Sequence, residues 1–478
     1  MAWNQLEIDN SNVSFACLGF FCILFCLVSR LIKEKFYIGE ATLAAIFGLI
    51  IGPHALNWVN PYNWGNFNYI TLEISRIILC IELVAVGIEL PPKYIFRNAY
   101  AIFLQLFFSM IIGWLVFAAF IHLILPDYSF TWGLLISACV TATDPVLAQE
   151  VIGKSKFAAE FVPTHIRHLI TAESGCNDGL AVPFVFLAVD LIIDAGDSHR
   201  IAKDFICITV LYQCLFGSIF GFIIGYALSW AFRLSQKLDW INREFKVLFV
   251  IMIGLFITGI TPLLGVDELL AAFFAGCGFV WDDWLENGEL LLEQESFMDS
   301  FDCFLNMAYF IYFGASVSWE NFNNHLLHLD VWRLILIAIV FLVLRRFPPV
   351  LAYYKLSPDI HSFKEAIFVS HFGPIGVSGL FACILAISKL EKFALDTEET
   401  PIADITVPNE VPLSHLINTV FPVVSFIVTV SVIVYGLSAP LIVFYKFIKE
   451  KYITKSIDNQ TSLEMETDII ELNKIHKL

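Results

Sequence analysis

The sequence predicts an all-α polytopic membrane protein with about 13 transmembrane helices, arranged as inverted repeats with two broken, crossing helices (spans 5 and 12), and three kinds of observation lead there. They are the hydropathy, the placement of Lys and Arg, and an internal repeat interrupted at matching positions. Apolar residues make up 58% of the 478 residues and charged residues only 15%, with a mean hydropathy of +0.75. No single soluble core could bury that much apolar surface. A helix needs about 20 apolar residues to cross a bilayer. Such stretches lie at 13–32, 38–55, 70–91, 99–125, 131–151, 166–194, 204–232, 245–263, 265–281, 298–317, 331–355, 364–388 and 415–445.

Orientation follows from Lys and Arg rather than from the net charge of −17, because acidic residues contribute little to it. With the N-terminus outside, Arg30, Lys33, Lys35, Lys93, Arg97, Lys154, Lys156, Arg233, Lys237, Arg243, Arg345, Arg346 and Lys446 all fall on the cytoplasmic side. The outer loops hold only Arg200, Lys203, Lys389 and Lys392, while Arg76 and Arg333 lie inside spans. This predicts a cytosolic C-terminus, with the lipid bilayer as surroundings and no nucleic acid as partner. Residues 1–449 form the expected transport domain, and the polar residues 450–478 a short, mostly disordered cytosolic tail. The first apolar stretch lacks a basic start and a small-residue cleavage site, so it reads as a retained helix. The sequon Asn12-Val13-Ser14 abuts that span too closely for use. All eleven Cys fall within spans without paired spacing, so neither a disulfide nor a cysteine metal site nor any cofactor is expected.

An offset of about 227 residues carries span 2 onto span 9, where Leu43-Ala44-Ala45-Ile46-Phe47-Gly48 meets Leu270-Ala271-Ala272-Phe273-Phe274-Ala275. Seven spans separate the copies, so they insert with opposite orientation. Binding positions in such folds lie where corresponding helices are interrupted near the midplane. In span 5, Thr141-Ala142-Thr143-Asp144-Pro145 puts a carboxylate and a proline inside an apolar segment. The same offset carries Asp144 to His371, which opens His371-Phe372-Gly373-Pro374-Ile375-Gly376 in span 12. Pro removes a backbone hydrogen bond and Gly weakens a helix, so both segments should unwind locally. Freed carbonyls could then meet a cation, and Asp144 could neutralise helix N-termini. Either break alone would be an ordinary kink; two at equivalent positions argue for a site.

Ionisable residues inside spans are costly and mark function by default. Span 6 carries Glu173-Ser174-Gly175-Cys176-Asn177-Asp178-Gly179. Asp178 is the first choice for the ion carrier, because a carboxylate withdrawn from water can hold either a proton or a dehydrated Na⁺ or Li⁺. Competition of the two for one group is an exchange mechanism. Glu173 lies five residues earlier, about 140° around the helix, and needs its own partner, for which Arg345 and Arg346 are both candidates. Asp178 could instead be a structural hydrogen-bond acceptor. Asp267 and Glu268 open span 9 and either line an ion pathway or mark a solvated helix start. The acidic run from Asp282-Asp283 to Glu295 reads as a solvated loop. Glu73, Arg76, Glu82 and Glu89 in span 3 could pair internally. Gly48 and Gly52, and Gly217, Gly221 and Gly225, suit close helix packing better than ion contact.

At these motifs the chain resembles the fungal plasma-membrane Na⁺/H⁺ antiporters of the monovalent cation:proton antiporter superfamily. The matching stretches are Gly48 to His54, Thr141 to Pro145, Glu173 to Pro183, Val266 to Gly276 and His371 to Val377. The resemblance implies a homodimer in which spans 4–6 and 11–13 form a moving core against a scaffold of spans 1–3 and 8–10. It implies that Asn177-Asp178 is the ion-binding pair, with Asp144 and Thr143 beside it, and that Glu173 pairs with Arg346. It also implies plasma-membrane export of Na⁺, with Li⁺ and K⁺ as further cations, in exchange for H⁺; an endosomal or vacuolar membrane is the second choice. Two departures stand out: Asp267-Glu268 replaces a frequent Asp pair, and many fungal members have a much longer tail.

The competing class is a membrane enzyme, either an intramembrane aspartyl protease or a prenyltransferase using Asp282-Asp283. Asp267 lacks the Gly-x-Gly-Asp pattern that a protease would show. No second Asp-rich motif supports a prenyltransferase. A channel is a further reading, but titratable carboxylates at interrupted repeats favour alternating access.

Overall fold

The computed structural model describes residues 9–145, 147–148, 162–194, 196–283, 289–396 and 413–475, and among these every regular element is a helix. A helix falls on each apolar stretch: α1 (Asn10–Phe36), α2 (Glu40–Ile51), α3 (Phe67–Glu89), α4 (Ala99–Ile124), α5 (Phe130–Cys139), α6 (Thr164–Ile193), α7 (Ser198–Lys237), α8 (Arg243–Leu264), α9 (Glu268–Phe279), α10 (Glu289–Ser316), α11 (Val331–Leu356), α12a (Phe363–His371), α12b (Val377–Asp396) and α13 (Leu413–Ile475). Of these, α1, α4, α6, α7, α11 and residues Leu413–Tyr445 of α13 are long and apolar enough to cross a bilayer unaided. Hydrocarbon offers backbone groups no water, so helices satisfy them internally and side chains cap the ends. Asn66 accepts from the Tyr69 amide to start α3, and Asp267 from the Leu270 amide to start α9. The polar tail, expected to be disordered, continues α13 to Ile475; from Lys446 onward it contains neither Gly nor Pro to stop a helix.

Two helix crossings are copies of one another. A Cβ on Gly48 of α2 would collide with the Ile311 carbonyl oxygen and Gly314 of α10. A Cβ on Gly276 of α9 would collide with the Val84 carbonyl oxygen and Gly87 of α3. The pairs correspond residue for residue, with α2 matched to α9 one position further along than the 227-residue offset places it. Backbones touch at both places, which only glycine permits. Gly221 and Gly225 of α7 meet the Ala271 and Ala275 carbonyls of α9 in the same way.

Two helices stop inside the bundle. The α5 helix ends at Cys139 and helical structure resumes only at Pro145; α12a ends at His371 and α12b begins at Val377. The second half of the α5 segment, residues 149–161 with Lys154 and Lys156, lies outside the described residues. The interruptions touch, since the Asp144 amide donates to the Pro374 carbonyl at 2.8 Å. Asp144 therefore meets Pro374 directly, three residues beyond the His371 that the repeat offset indicated. A third interruption falls in α11, where Arg345 and Arg346 occupy a turn ahead of Pro348 and Pro349. Prolines cannot donate to the preceding helical carbonyls, so the helix restarts there.

Candidate ion site at the helix crossing

Each interrupted helix leaves backbone amides on one side of the break and carbonyls on the other, and these ends carry the partial charges of the helix dipole. Asp144 serves the amides of both helices. Its Oδ1 accepts from the Leu147 amide at 3.2 Å and its Oδ2 from the Ser378 amide at 3.3 Å. A Cβ on Gly376 would stand 2.7 Å from Asp144 Oδ2, so glycine opens the approach to α12b. Arg345 serves the carbonyls. Its Nη1 donates to Val140 and Ala142, the latter at 3.0 Å, and its Nη2 to Gly373 at 2.5 Å. The sequence pattern offered Arg345 only as a partner for Glu173, because the carbonyls it meets are brought to it by tertiary structure.

Arg346, adjacent but across the α11 turn, takes the other role. It grips Glu173 with two hydrogen bonds of 2.5 and 3.0 Å and adds the Val369 carbonyl at 3.1 Å. Both side chains are buried, and the paired fork is the geometry in which a guanidinium holds a carboxylate best. One α-helical turn after Glu173, Asn177 clamps the first break. Its Oδ1 accepts from the Thr143 amide at 3.1 Å and its Nδ2 donates to Thr143 Oγ1 at 2.8 Å, while Ser174 Oγ lies 3.0 Å from the same hydroxyl. The Asn177 carbonyl keeps a second lone pair for another partner. A small cavity opens beside this clamp, lined among others by Thr141, Glu173, Asn177, Arg345 and Arg346.

Asp178 is different from its neighbours. It is 1% exposed, and among the described residues neither carboxylate oxygen has a hydrogen-bond partner. The Ser378 hydroxyl and Asp144 stand close by. Glu82 of α3 shares this condition: both its oxygens are buried without a partner among the described residues. Its sequence pattern grouped Glu82 with its helix neighbours, yet Arg76 bonds Glu73 at 2.5 Å. A lone buried carboxylate on the helix face opposite that pair was the available signal.

The other candidates lie around this centre. Asp267 caps α9 through the Leu270 amide at 2.8 Å, so it does mark a helix start, but a buried rather than a solvated one. Glu268 follows it in the first turn. His371 turns to α13, with Nε2 2.9 Å from Ser438 Oγ and its ring 5.4 Å from Tyr435. The acidic run from Asp282 was expected as a solvated loop; Asp282 and Asp283 do lie in an exposed turn, where Asp282 bonds Arg233 at 2.8 Å, but from Glu289 onward the run is helical and belongs to α10. The face of α6 carrying Gly175 and Gly179 lies on α9. A Cβ at Gly175 would strike the Phe273 ring, and one at Gly179 the Leu270 side chain and backbone.

The fold has solved counterparts. The sodium proton antiporter MjNhaP1 from Methanocaldococcus jannaschii at pH 8 superposes with a TM-score of 0.65 at 19% identity, covering 90% of this chain and 100% of that one. Among curated proteins, the Na⁺/H⁺ antiporter 2 of Zygosaccharomyces rouxii is 46% identical over 448 residues, covering 94% of this chain and 55% of the relative. The Na⁺/H⁺ antiporter of Saccharomyces cerevisiae is 45% identical over 461 residues, 96% of this chain and 46% of that protein. This chain thus spans about half the length of those two relatives. A Na⁺/H⁺ antiporter of Schizosaccharomyces pombe is 38% identical over 475 residues, 99% of each chain. The family model described as the transmembrane sodium/hydrogen exchanger matches residues 20–445. With its all-helical bundle, interrupted crossing and these relatives, the chain is a multi-pass membrane protein and belongs to the sodium/hydrogen exchanger family.

Proposed function

We propose that this chain is a secondary active antiporter that exports Na⁺, and also Li⁺ and K⁺, in exchange for H⁺ by alternating access. Asp178 is the shared site. The observation that carries this reading is that Asp144, Glu173, Arg345 and Arg346 are each held by hydrogen bonds at the crossing, while Asp178 beside them is buried without a hydrogen bond among the described residues. A carboxylate in that state needs either a proton or a cation, since an uncompensated buried charge is too costly. Ion and proton therefore compete for it. The spare lone pair of Asn177 and the remaining lone pairs of the carbonyls at the breaks complete the coordination. The relatives are named as antiporters rather than enzymes, which supports transport over the membrane-enzyme reading.

Alternating access in this reading moves a core of spans 4–6 and 11–13 against a scaffold of spans 1–3 and 8–10, in a homodimer. The distribution of Lys and Arg supports an outside N-terminus and a cytosolic C-terminus, and the resemblance of the motifs to fungal plasma-membrane antiporters favours the plasma membrane. Flux in proteoliposomes with Na⁺, Li⁺ or K⁺ against a pH gradient tests the function. Asp178→Asn keeps the volume but cannot ionise, so a folded protein without exchange is expected. Exchange by Asp178→Asn at near the parent rate would move the ion site elsewhere.

A further inference from the structure

One cluster of metal-ligating side chains takes no part in the crossing. His165 lies in the first turn of α6, His361 in the loop ahead of α12a, and Glu365 in the first turn of α12a. The two imidazole rings lie 4.6 Å apart, tilted by 35°, and His165 Nε2 is 3.6 Å from Glu365 Oε2. One ligand atom from each residue lies within 4.8 Å of the other two. The 3.6 Å separation is too long for a hydrogen bond. Among the described residues, His165 Nε2 is buried and has no hydrogen-bond partner.

Helix capping accounts for part of this arrangement. Ser362 Oγ accepts from the Glu365 amide at 3.2 Å, and Glu365 Oε2 accepts from the His361 amide at 2.7 Å. That is a capping box displaced by one residue, and it fixes the carboxylate. It leaves most of the carboxylate's acceptor capacity unused. It gives no reason for two imidazoles from distant parts of the chain to face the carboxylate together, one with an orphaned ring nitrogen.

We propose that His165, His361 and Glu365 form a binding site for a divalent transition cation of the Zn²⁺ class, with the fourth coordination position open to solvent. Two imidazole nitrogens and one carboxylate oxygen suit Zn²⁺, Co²⁺ or Ni²⁺, whereas hard cations take oxygen ligands. The site is therefore chemically distinct from one for transported alkali ions. Tetrahedral bonds of about 2.0–2.1 Å put neighbouring ligand atoms about 3.3 Å apart. Closing the cluster needs a shift of roughly 1–1.5 Å, which the exposed loop carrying His361 can supply. The bound ion would tie the start of α6, which carries Glu173 and Asp178, to the start of α12a, which leads into the second break. His361 and Glu365 are four residues apart, but His165 lies far from them along the chain, so no local motif reveals the three ligands together.

The test uses the untagged full chain, purified in detergent, with Co²⁺ as an optical probe and Zn²⁺ as competitor. About one Co²⁺ per chain is expected, with the visible absorption of a four-coordinate centre, and Zn²⁺ should displace it. His361→Ala and His165→Ala should each weaken binding by about 10-fold or more, while His199→Ala, at an unrelated position, should bind as the parent does. Zn²⁺ should raise the unfolding temperature of the parent and not that of His361→Ala. The exposed His361 position makes a folding failure of that variant unexpected, and its metal-free unfolding temperature checks this directly. Absence of a Co²⁺ band at millimolar metal overturns the proposal, as does binding that survives both substitutions.

Discussion

Asp144 and Arg345 serve opposite poles of one crossing: the carboxylate takes the amides of Leu147 and Ser378, and the guanidinium takes the carbonyls of Val140, Ala142 and Gly373. Each spans both interrupted helices, so the two breaks are held as one unit. Arg345→Lys keeps the charge but not the planar fork that reaches two separate strands of backbone. Hydrogen bonds to a charged group contribute about 1.5–3 kcal/mol each, so a clear fall in melting temperature in detergent is expected. A melting curve identical to that of the parent would remove Arg345 from this role.

Glu173 and Arg346 are a buried pair, and loss of one partner leaves the other charge uncompensated. The cost is commonly about 3–5 kcal/mol. Glu173→Gln and Arg346→Gln should each lower thermal stability, and the double variant should lose less than the sum of the two. Additive losses in that double-mutant cycle would mean that the side chains do not interact energetically.

Gly179 places α6 against the backbone of α9, where a Cβ would stand only 2.8 Å from the Leu270 amide nitrogen. Backbone gives way less readily than a side-chain tip, and overpacking costs about 1–3 kcal/mol. If α6 moves with the core past α9, Gly179→Ala should slow turnover several-fold while leaving the apparent affinity for Na⁺ nearly unchanged. A normal maximal rate would show that these two faces do not slide in the cycle.

Exchange should be electroneutral, one Na⁺ for one H⁺. Asn177 carries no proton to exchange, Arg346 holds Glu173, and Asp144 caps two helices, which leaves Asp178 as the carboxylate of the crossing without a hydrogen-bond partner among the described residues and, in the proposed mechanism, as its exchanging group. Moving one charge through 100 mV is worth about 2.3 kcal/mol, so a 2:1 exchanger would respond steeply to voltage. In proteoliposomes clamped with K⁺ and valinomycin, the initial Na⁺ flux should hardly change with potential. A several-fold change would bring in Glu82 as a second proton carrier, and Glu82→Gln should then abolish the voltage dependence.

Local features of the chain were enough to show a helical membrane protein and the places where its helices must be interrupted. Hydropathy, the Lys and Arg distribution, Pro145, Gly373 and Pro374 are local quantities, and a bilayer turns them into strong constraints because it offers no water to an unpaired backbone group. The burial of Asp178 was also legible, since it lies within an apolar span that a bilayer withdraws from water. Which side chain answers which helix end was set by the assembled bundle alone. Arg345 and Arg346 are adjacent in sequence, and the turn before Pro348 sends one to the carbonyls and the other to Glu173. The isolation of Glu82, the slip of the α2 and α9 copies by one residue, and the meeting of His165 with His361 and Glu365 depend on contacts between segments far apart in sequence. No local pattern encodes such distances; packing of the whole bundle sets them.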